Sequence, residues 1–492
     1  MACENALQTG PEPVHYQRVK RAPDALGPVI PLDRRRGAPL HRQIYAGYRA
    51  AILDGRLRPG QRLPSTRTLA RELRVSRIPV VTAFDQLVAE GYVTSRVGAG
   101  SFVSAALERK AIPAPATTRP GPRRIPALPF PNTPEPWNAL RGPFRVGQPA
   151  LDEFPADLWT RIVVRHARLQ SRKMMTYGDP MGLPALREAL ADHLRTVRSV
   201  ACDPDQIMIV NGSQQGLSLC ARALLAPGDR VWIEEPGYPG VRDALTLAGA
   251  RTVPVPVDQD GVDVRAGISR ARTARAAYVT PSHQYPLGVV LAAQRRQELL
   301  AWARQHGAWI LEDDYDSEYR YETQPLASLY SLDPDARVIY VGTFSKILFP
   351  ALRVGYLVLP RDLVPQLRRL RLTIDIFPPP LYQAVLAEWI REGHFARHLR
   401  RMRTVYAERR RALEAELAVP ILGERAGLHL VIAAPHDHAT AVRAAAAGIS
   451  VIPLSTCYAT KPARSGLVLG YGATRLAEIP EAVRRLRAAM RG

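Results

Sequence analysis

Nine prolines between Pro113 and Pro136 divide this 492-residue chain in two. Proline lacks a backbone N–H and fixes φ, so a stretch this dense supports neither a helix nor an inner strand. It predicts a semi-rigid extended linker over 105–140. A chain of this length also exceeds what one core holds, since single cores stop growing near ~250–300 residues. Residues 1–33 read as a lead-in segment. The two flanks, 34–104 and 141–492, must each fold on a pattern of their own.

In the first flank 13 arginines stand against four acids, Asp54, Glu72, Asp85 and Glu90. That excess, within a chain of net charge +22, favours a polyanionic partner, nucleic acid first. Leu40, Ile44, Tyr48, Ala51 and Ile52 recur at helical spacing, and Gly55 stops the helix. Ser65 is placed to cap a short helix through Leu73. Ser76 is placed to cap a third, running to Ala89, with Val80, Phe84 and Leu87 inward. Residues 92–96 and 101–103 read as two short strands around Val97-Gly98-Ala99-Gly100. Three helices and a hairpin make a winged helix, which reads double-stranded DNA with its recognition helix in the major groove. Ser76 and Arg77 open that helix, and arginine to guanine is the commonest specific contact. Ser65 and Arg67 are expected at phosphates, which set register rather than sequence. Gly98 permits a tight wing tip.

The second flank alternates short buried strands (207–210, 231–234, 277–280, 309–312, 338–341, 354–359) with helices. Such alternation predicts an α/β fold, a mostly parallel sheet with helices on both faces. After residue 360 come arginine-rich helices, then short strands near 429–431 and 467–469. These predict a small C-terminal α/β subdomain.

The chemistry gathers at strand ends, where open α/β sheets bind ligands. Lys346 follows one strand in the run Gly342-Thr343-Phe344-Ser345-Lys346. A lone lysine is usually a solvated surface group, so its neighbours carry the argument. Asp313 and Tyr315, two apart on a strand end, face one side, and Asp314 faces the other. Which of the two aspartates serves the site stays open from sequence. The run Asn211-Gly212-Ser213-Gln214-Gln215-Gly216-Leu217 leaves a strand and opens a helix, so its free N–H groups suit a phosphate. Thr343 and Ser345 add hydroxyls, and Arg353 can pair a phosphate bidentately. Tyr238, in Glu235-Pro236-Gly237-Tyr238-Pro239, is placed to stack on a ring. Tyr177, in Tyr177-Gly178-Asp179-Pro180-Met181-Gly182, is placed to donate to a phosphate across a dimer interface. An amine, an acid for a pyridine nitrogen and a phosphate cradle are what pyridoxal phosphate requires.

Residues 141–492 resemble the fold-type I, class I aminotransferases. The chain from residue 30 onward resembles the MocR/GabR-type regulators, a GntR-family winged helix fused to that fold. The matching runs are Leu63-Pro64-Ser65-Thr66-Arg67, Leu73-Arg74-Val75-Ser76-Arg77, 312–321 and 342–356. The resemblance implies Lys346 as the Schiff-base lysine, Asp313 at the pyridine nitrogen and Tyr315 at the ring hydroxyl. It also implies Tyr238 stacked on the ring, Ser213, Gln214 and Arg353 at the phosphate, and a head-to-tail homodimer.

Two departures bear on activity. Aminotransferases carry Asn-Pro-Thr-Gly near the ring oxygen; this chain reads Pro281-Ser282-His283-Gln284-Tyr285-Pro286-Leu287-Gly288, so His283 or Gln284 is the expected substitute. They also clamp the substrate carboxylate with an arginine on a late strand, where Leu467-Val468-Leu469-Gly470-Tyr471 places Val468. A carboxylate buried there would lack a cationic partner, unless Arg464 reached in from its loop. The expectation is a transcription regulator that senses pyridoxal phosphate, or a small amine or amino acid, through Schiff-base chemistry. The alternatives are an active aminotransferase with an accessory head, which Val468 weighs against, and a repressor with a cofactor-free core, which Lys346, Asp313 and Arg353 weigh against.

Four scattered cysteines with no CxxC spacing argue for a reducing compartment and against a disulfide scaffold or zinc site. No apolar run approaches the ~18 residues of a membrane span, and residues 1–10 lack a signal pattern. A cytoplasmic location away from the membrane is expected.

Overall fold

Helical spacing in the first flank becomes three helices in the computed structural model: Leu40–Leu53, Thr66–Glu72 and Arg77–Ala89. The structure describes residues 31–33, 38–96, 98–107, 141–169, 172–321, 327–423 and 426–491. The expected lead-in up to residue 30 and the linker beyond Leu107 lie outside the described residues. The chain divides into two units, Met1–Pro126 and Ala127–Gly492.

In the first unit Ile44, Tyr48, Val80, Phe84 and Leu87 are buried together. The Tyr48 ring meets the edge of Phe84 at 5.2 Å between centroids. Strands Val93–Arg96 and Gly100–Val103 pair antiparallel, Val93 opposite Val103. Ser65 Oγ accepts from the Thr68 N–H at 3.1 Å, the expected cap. Ser76 differs. It holds the position before Arg77, but its side chain makes no capping bond. It is exposed, so water can satisfy the first helical amides in its place.

The second unit is built on an eight-stranded sheet. From one edge the order is Ile207–Val210, Gly355–Val358, Val338–Thr343, Trp309–Asp314, Ala276–Val279, Arg230–Glu235, Arg251–Asp258 and Gly261–Val262. Five of these strands pair in parallel, from Val338–Thr343 through Arg251–Asp258. Gly355–Val358 runs antiparallel to both neighbours. The central strands are buried along their full length, as parallel strands covered by helices on both faces must be. Arg251–Asp258 was not among the expected strands. Pro254 and Pro256 mask it, and they are tolerated because only the short Gly261–Val262 pairs its outer side.

On one face of the sheet Trp232 and Trp302 stack at 3.8 Å. Their indole N–H groups donate to the carbonyls of Ala271 and Arg272, each at 2.9 Å. The C-terminal subdomain has a four-stranded antiparallel sheet in the order Ile421–Leu422, His429–Ala433, Gly466–Gly470, Ile452–Pro453. The helices His394–Leu417 and Ile479–Arg491 pack against one another beside it. Among the described residues no helix is long and apolar enough to cross a membrane.

The tryptophan stack anchors helix Ala293–His306 to the sheet. Trp302→Ala is expected to lower unfolding stability by about 3–5 kcal/mol, read as an earlier midpoint in urea. A midpoint unchanged from the parent would show that the stack adds nothing.

Candidate functional site

Strands Trp309–Asp314 and Val338–Thr343 end beside the start of helix Ser213–Leu224. Their ends line a cavity of about 710 Å³. Nine of the residues expected at a cofactor meet in it: Lys346, Asp313, Tyr315, Tyr238, Ser213, Gln214, Thr343, Ser345 and Arg353.

Lys346 follows directly from its strand. Its Nζ donates to the Gly147 carbonyl at 3.0 Å. Burial pushes its pKa down, while Asp316 and Asp313 pull it back up. A lysine so placed gives up its proton more readily than a surface one, which is what a nucleophilic amine needs.

Side-chain alternation separates the two aspartates. Asp314 turns away from the cavity and accepts from Arg198, Nη2 at 2.6 Å and Nε at 3.0 Å, and from the Tyr340 hydroxyl. Asp313 faces the cavity. Its Oδ2 accepts from Tyr278 Oη at 2.8 Å, and its Oδ1 is buried with no partner among the described residues. Burial raises its carboxyl to about 7, against the Tyr278 hydrogen bond, which lowers it. A buried acceptor without a donor is costly, and it points to a donor from a bound ring.

The anion cradle is built on glycine. Gly212 has φ +84, and a Cβ there would meet the Arg353 guanidinium at 2.9–3.0 Å. Arg353 Nη2 donates to the Asn211 carbonyl at 2.7 Å, which holds the guanidinium over the helix start. Gln214 Nε2 donates to the Gly240 carbonyl at 2.6 Å, and Tyr238 Oη donates to Gln214 Oε1 at 3.3 Å. The Ser345 N–H donates to Thr343 Oγ1 at 3.2 Å. A helix N-terminus, a guanidinium and two hydroxyls suit a phosphate.

Three expected residues lie elsewhere. Tyr177 is 82% exposed and touches only the edge of Phe377 among the ring contacts of the described residues. His283 is buried but does not line the cavity, because its ring is turned onto the Asp316 carboxylate, Nδ1 to Oδ2 at 3.0 Å. Gln284 is not in the cavity either. Its amide donates to Glu234 and to the Pro236 carbonyl, and its Oε1 accepts from the Leu287 N–H, which uses it to hold the loop. Tyr285, the next residue, lines the cavity where His283 or Gln284 was expected. Val468 is fully buried in an apolar cluster with Val146, Val431 and Leu454. Arg464 is exposed and does not line the cavity.

Sequence reasoning also missed Gly147, Tyr278, Asp316 and His429, all at the cavity. A signal existed for Asp316 alone, three residues past Asp313 in the same acidic run. The others arrive from distant segments that only the fold brings close.

In the head, Arg77 Nε donates to Thr66 Oγ1 at 3.2 Å, and Ser65, Arg67, Ser76 and Arg77 are exposed. Gly98 has φ +77 at the wing tip. Ile78, absent from the expected list, is 75% exposed on the first turn of its helix.

The architecture is therefore that of an aminotransferase-like body carrying a winged-helix head. Comparison with known proteins places the chain more closely. Residues 40–103 match the bacterial regulatory proteins of the gntR family, and residues 144–486 match aminotransferase class I and II. The probable rhizopine catabolism regulatory protein MocR of Rhizobium meliloti is 40% identical over 94% of this chain and 96% of its own. The pyridoxine biosynthesis regulator PdxR of Corynebacterium glutamicum is 35% identical over 90% and 95%. Among solved structures, the α-aminoadipate aminotransferase LysN of Thermus thermophilus, complexed with N-(5′-phosphopyridoxyl)-L-leucine, superposes with a TM-score of 0.67 at 28% identity, over 73% of this chain and 94% of that one. The chain belongs to the MocR-type transcription regulators, in which a gntR-family head is joined to an aminotransferase class I and II domain.

The Asp313 carboxyl at about 7 lies above the ~3.9 of an unfolded chain. Between those values the folded state keeps a proton that the unfolded state has released, so this group's contribution to stability falls as pH rises. In cofactor-free protein, Asp313→Asn is expected to gain melting temperature on the parent between about pH 5 and about pH 8. A difference that stays constant over that range would contradict a strongly raised carboxyl.

Proposed function

We propose that the head, 34–104, binds operator DNA, and that the body, 141–492, holds pyridoxal phosphate at Lys346 and responds to pyridoxal phosphate itself or to a small amine or amino acid. The observation that carries this reading is the meeting, in one cavity, of a buried amine, a buried carboxylate oxygen without a partner among the described residues, and a guanidinium backed by glycine.

When bound, the cofactor supplies an aldehyde that condenses with amines and a ring that withdraws electrons. Lys346 Nζ is the amine that would hold it, and the lowered pKa supports that role. Asp313 would accept from the pyridine nitrogen with the oxygen now unpaired. Tyr315 would serve the ring hydroxyl, and Tyr238 would stack on the ring. Ser213, Gln214, Thr343, Ser345 and Arg353 would hold the phosphate. Tyr177, exposed in the single chain, would reach the phosphate of a second copy in a head-to-tail homodimer. His283 would act from behind Asp316 rather than at the ring. Val468 supports sensing over turnover, since a buried carboxylate beside it lacks a cation.

On the DNA side, Arg77 would meet base edges in the major groove and Ile78 a thymine methyl. Ser65, Arg67 and Ser76 would meet phosphates, with Gly98 shaping the wing. Such a protein works in the cytoplasm. The relatives' names concern different metabolism, pyridoxine biosynthesis and rhizopine catabolism. That supports one shared body tuned to different effectors.

Full-length protein incubated with pyridoxal phosphate is expected to gain visible absorbance, and Lys346→Ala to lose it. A colourless parent would refute the cofactor reading. On its own upstream DNA, Arg77→Ala is expected to weaken specific binding by about 1–3 kcal/mol and to relax base preference. Equal affinity of parent and variant for specific over random DNA would remove Arg77 from base readout.

A further inference from the structure

A second concavity adjoins the cofactor cavity. It measures about 410 Å³ and is walled by Leu151, Phe154, Trp159 and Phe349. Gln148, Pro350 and Ala351 line both spaces, so the two are continuous. The segments that form the groove are the ones that hold Lys346. Lys346 Nζ donates to the Gly147 carbonyl, and Gln148 is the next residue, with Leu151 three further on. On the other side Phe349, Pro350 and Ala351 follow Lys346 and precede Arg353.

The groove is built before any ligand arrives. The Ala150 N–H donates to Tyr406 Oη at 2.9 Å, and Arg409 Nη2 donates to Asp152 Oδ2 at 2.9 Å. Glu153 pairs with Arg401. These three bonds tie the turn to helix His394–Leu417 on either side of Leu151, which is left 50% exposed at the groove. An exposed leucine alone means little. This one completes an aromatic wall. The rings of Phe154, Trp159 and Phe349 meet edge to face, with centroids 5.8, 5.1 and 5.5 Å apart, and Trp389 backs Trp159 at 5.4 Å. Among the described residues no charged side chain lines the groove. A preformed apolar concavity beside a few polar groups is the usual form of a small-molecule site, and its rigidity spares a ligand the cost of ordering it.

We propose that this groove is the outer half of the effector site, and that it takes the apolar tail, aliphatic or aromatic, of a primary amine whose nitrogen lies beside Lys346. The cavity supplies the polar contacts at one end of such a molecule, and the groove offers the other end only removal from water. The inference rests on Lys346 holding the cofactor, and it narrows the effector from any small amine or amino acid to an amine with an apolar tail.

Ethylamine, n-butylamine and n-hexylamine test it, because they share one amine and differ only in tail length. Full-length protein is loaded with pyridoxal phosphate, freed of excess, and titrated with each while the visible band is followed. Half-saturation is expected to fall by about fourfold for each methylene that enters the groove, which puts hexylamine at least about tenfold below ethylamine. Leu151→Asn places an amide on the wall at a half-exposed position. In protein that still loads, it is expected to cut hexylamine's advantage to about threefold or less. Equal half-saturation by the three amines in the parent overturns the proposal, whether the groove then stands empty or is covered by a second copy of the chain, and that measurement needs no variant to fold. A loaded Leu151→Asn protein that keeps the parent's ratio overturns it too. If the parent takes up no cofactor, or Lys346→Ala keeps the colour, the reading of the site itself has failed, a result distinct from a loaded parent that ignores tail length.

Discussion

Two consecutive carboxylates at the end of one buried strand are the arrangement on which the body depends. Burying either one bare would cost several kcal/mol. The pleat sends them to opposite faces. Asp314 is neutralised by Arg198 at 2.6 Å, with both side chains almost wholly buried. That leaves Asp313 to face the cavity with a single hydrogen bond among the described residues, from Tyr278. The Arg198–Asp314 pair makes the strand end tolerable, and the incomplete partnering of Asp313 makes it useful. Lys346, from the neighbouring strand, completes a low-dielectric box in which each charge shifts the others. Pocket chemistry of this kind needs opposed groups held in place before any ligand arrives.

Much of this was legible in the chain because its signals are local. Buried strands announce themselves as short apolar runs, and all six strands expected of the large sheet end within two residues of the observed ones. The two-residue spacing of Asp313 and Tyr315 foretold that both face the cavity. Ser65 read correctly as a cap because capping is decided within three residues. The failures share a cause as well. Arg251–Asp258 escaped notice because proline normally vetoes a strand, and only its place near the sheet edge lifts the veto. His283 was expected at the cavity and Tyr285 was not, because a loop's rotation about its own axis is set by what its side chains bind. Gln284 is held by Glu234 and His283 by Asp316, and Tyr285 is what remains facing inward. Gly147 and His429 sit 199 and 83 residues from Lys346, and no pattern along the chain connects them.

In the proposed reading the site has an aminotransferase's means of holding an aldehyde cofactor, at Lys346, Asp313 and Arg353, without its means of holding an amino acid's carboxylate, where Val468 sits in an apolar cluster. This division suits a regulator. Sensing requires that a ligand change the protein's energy on binding, and it gains nothing from converting that ligand. The head has a matching economy: exposed arginine, serine and isoleucine on helix starts, over a core of Tyr48, Phe84 and Leu87 that fixes their spacing.

The most direct test of the account is chemical. Full-length protein incubated with pyridoxal phosphate, reduced with borohydride, digested and examined by mass spectrometry should carry one phosphopyridoxyl group, on the peptide that contains Lys346. No label, or a label spread over surface lysines and missing from Lys346, would contradict it.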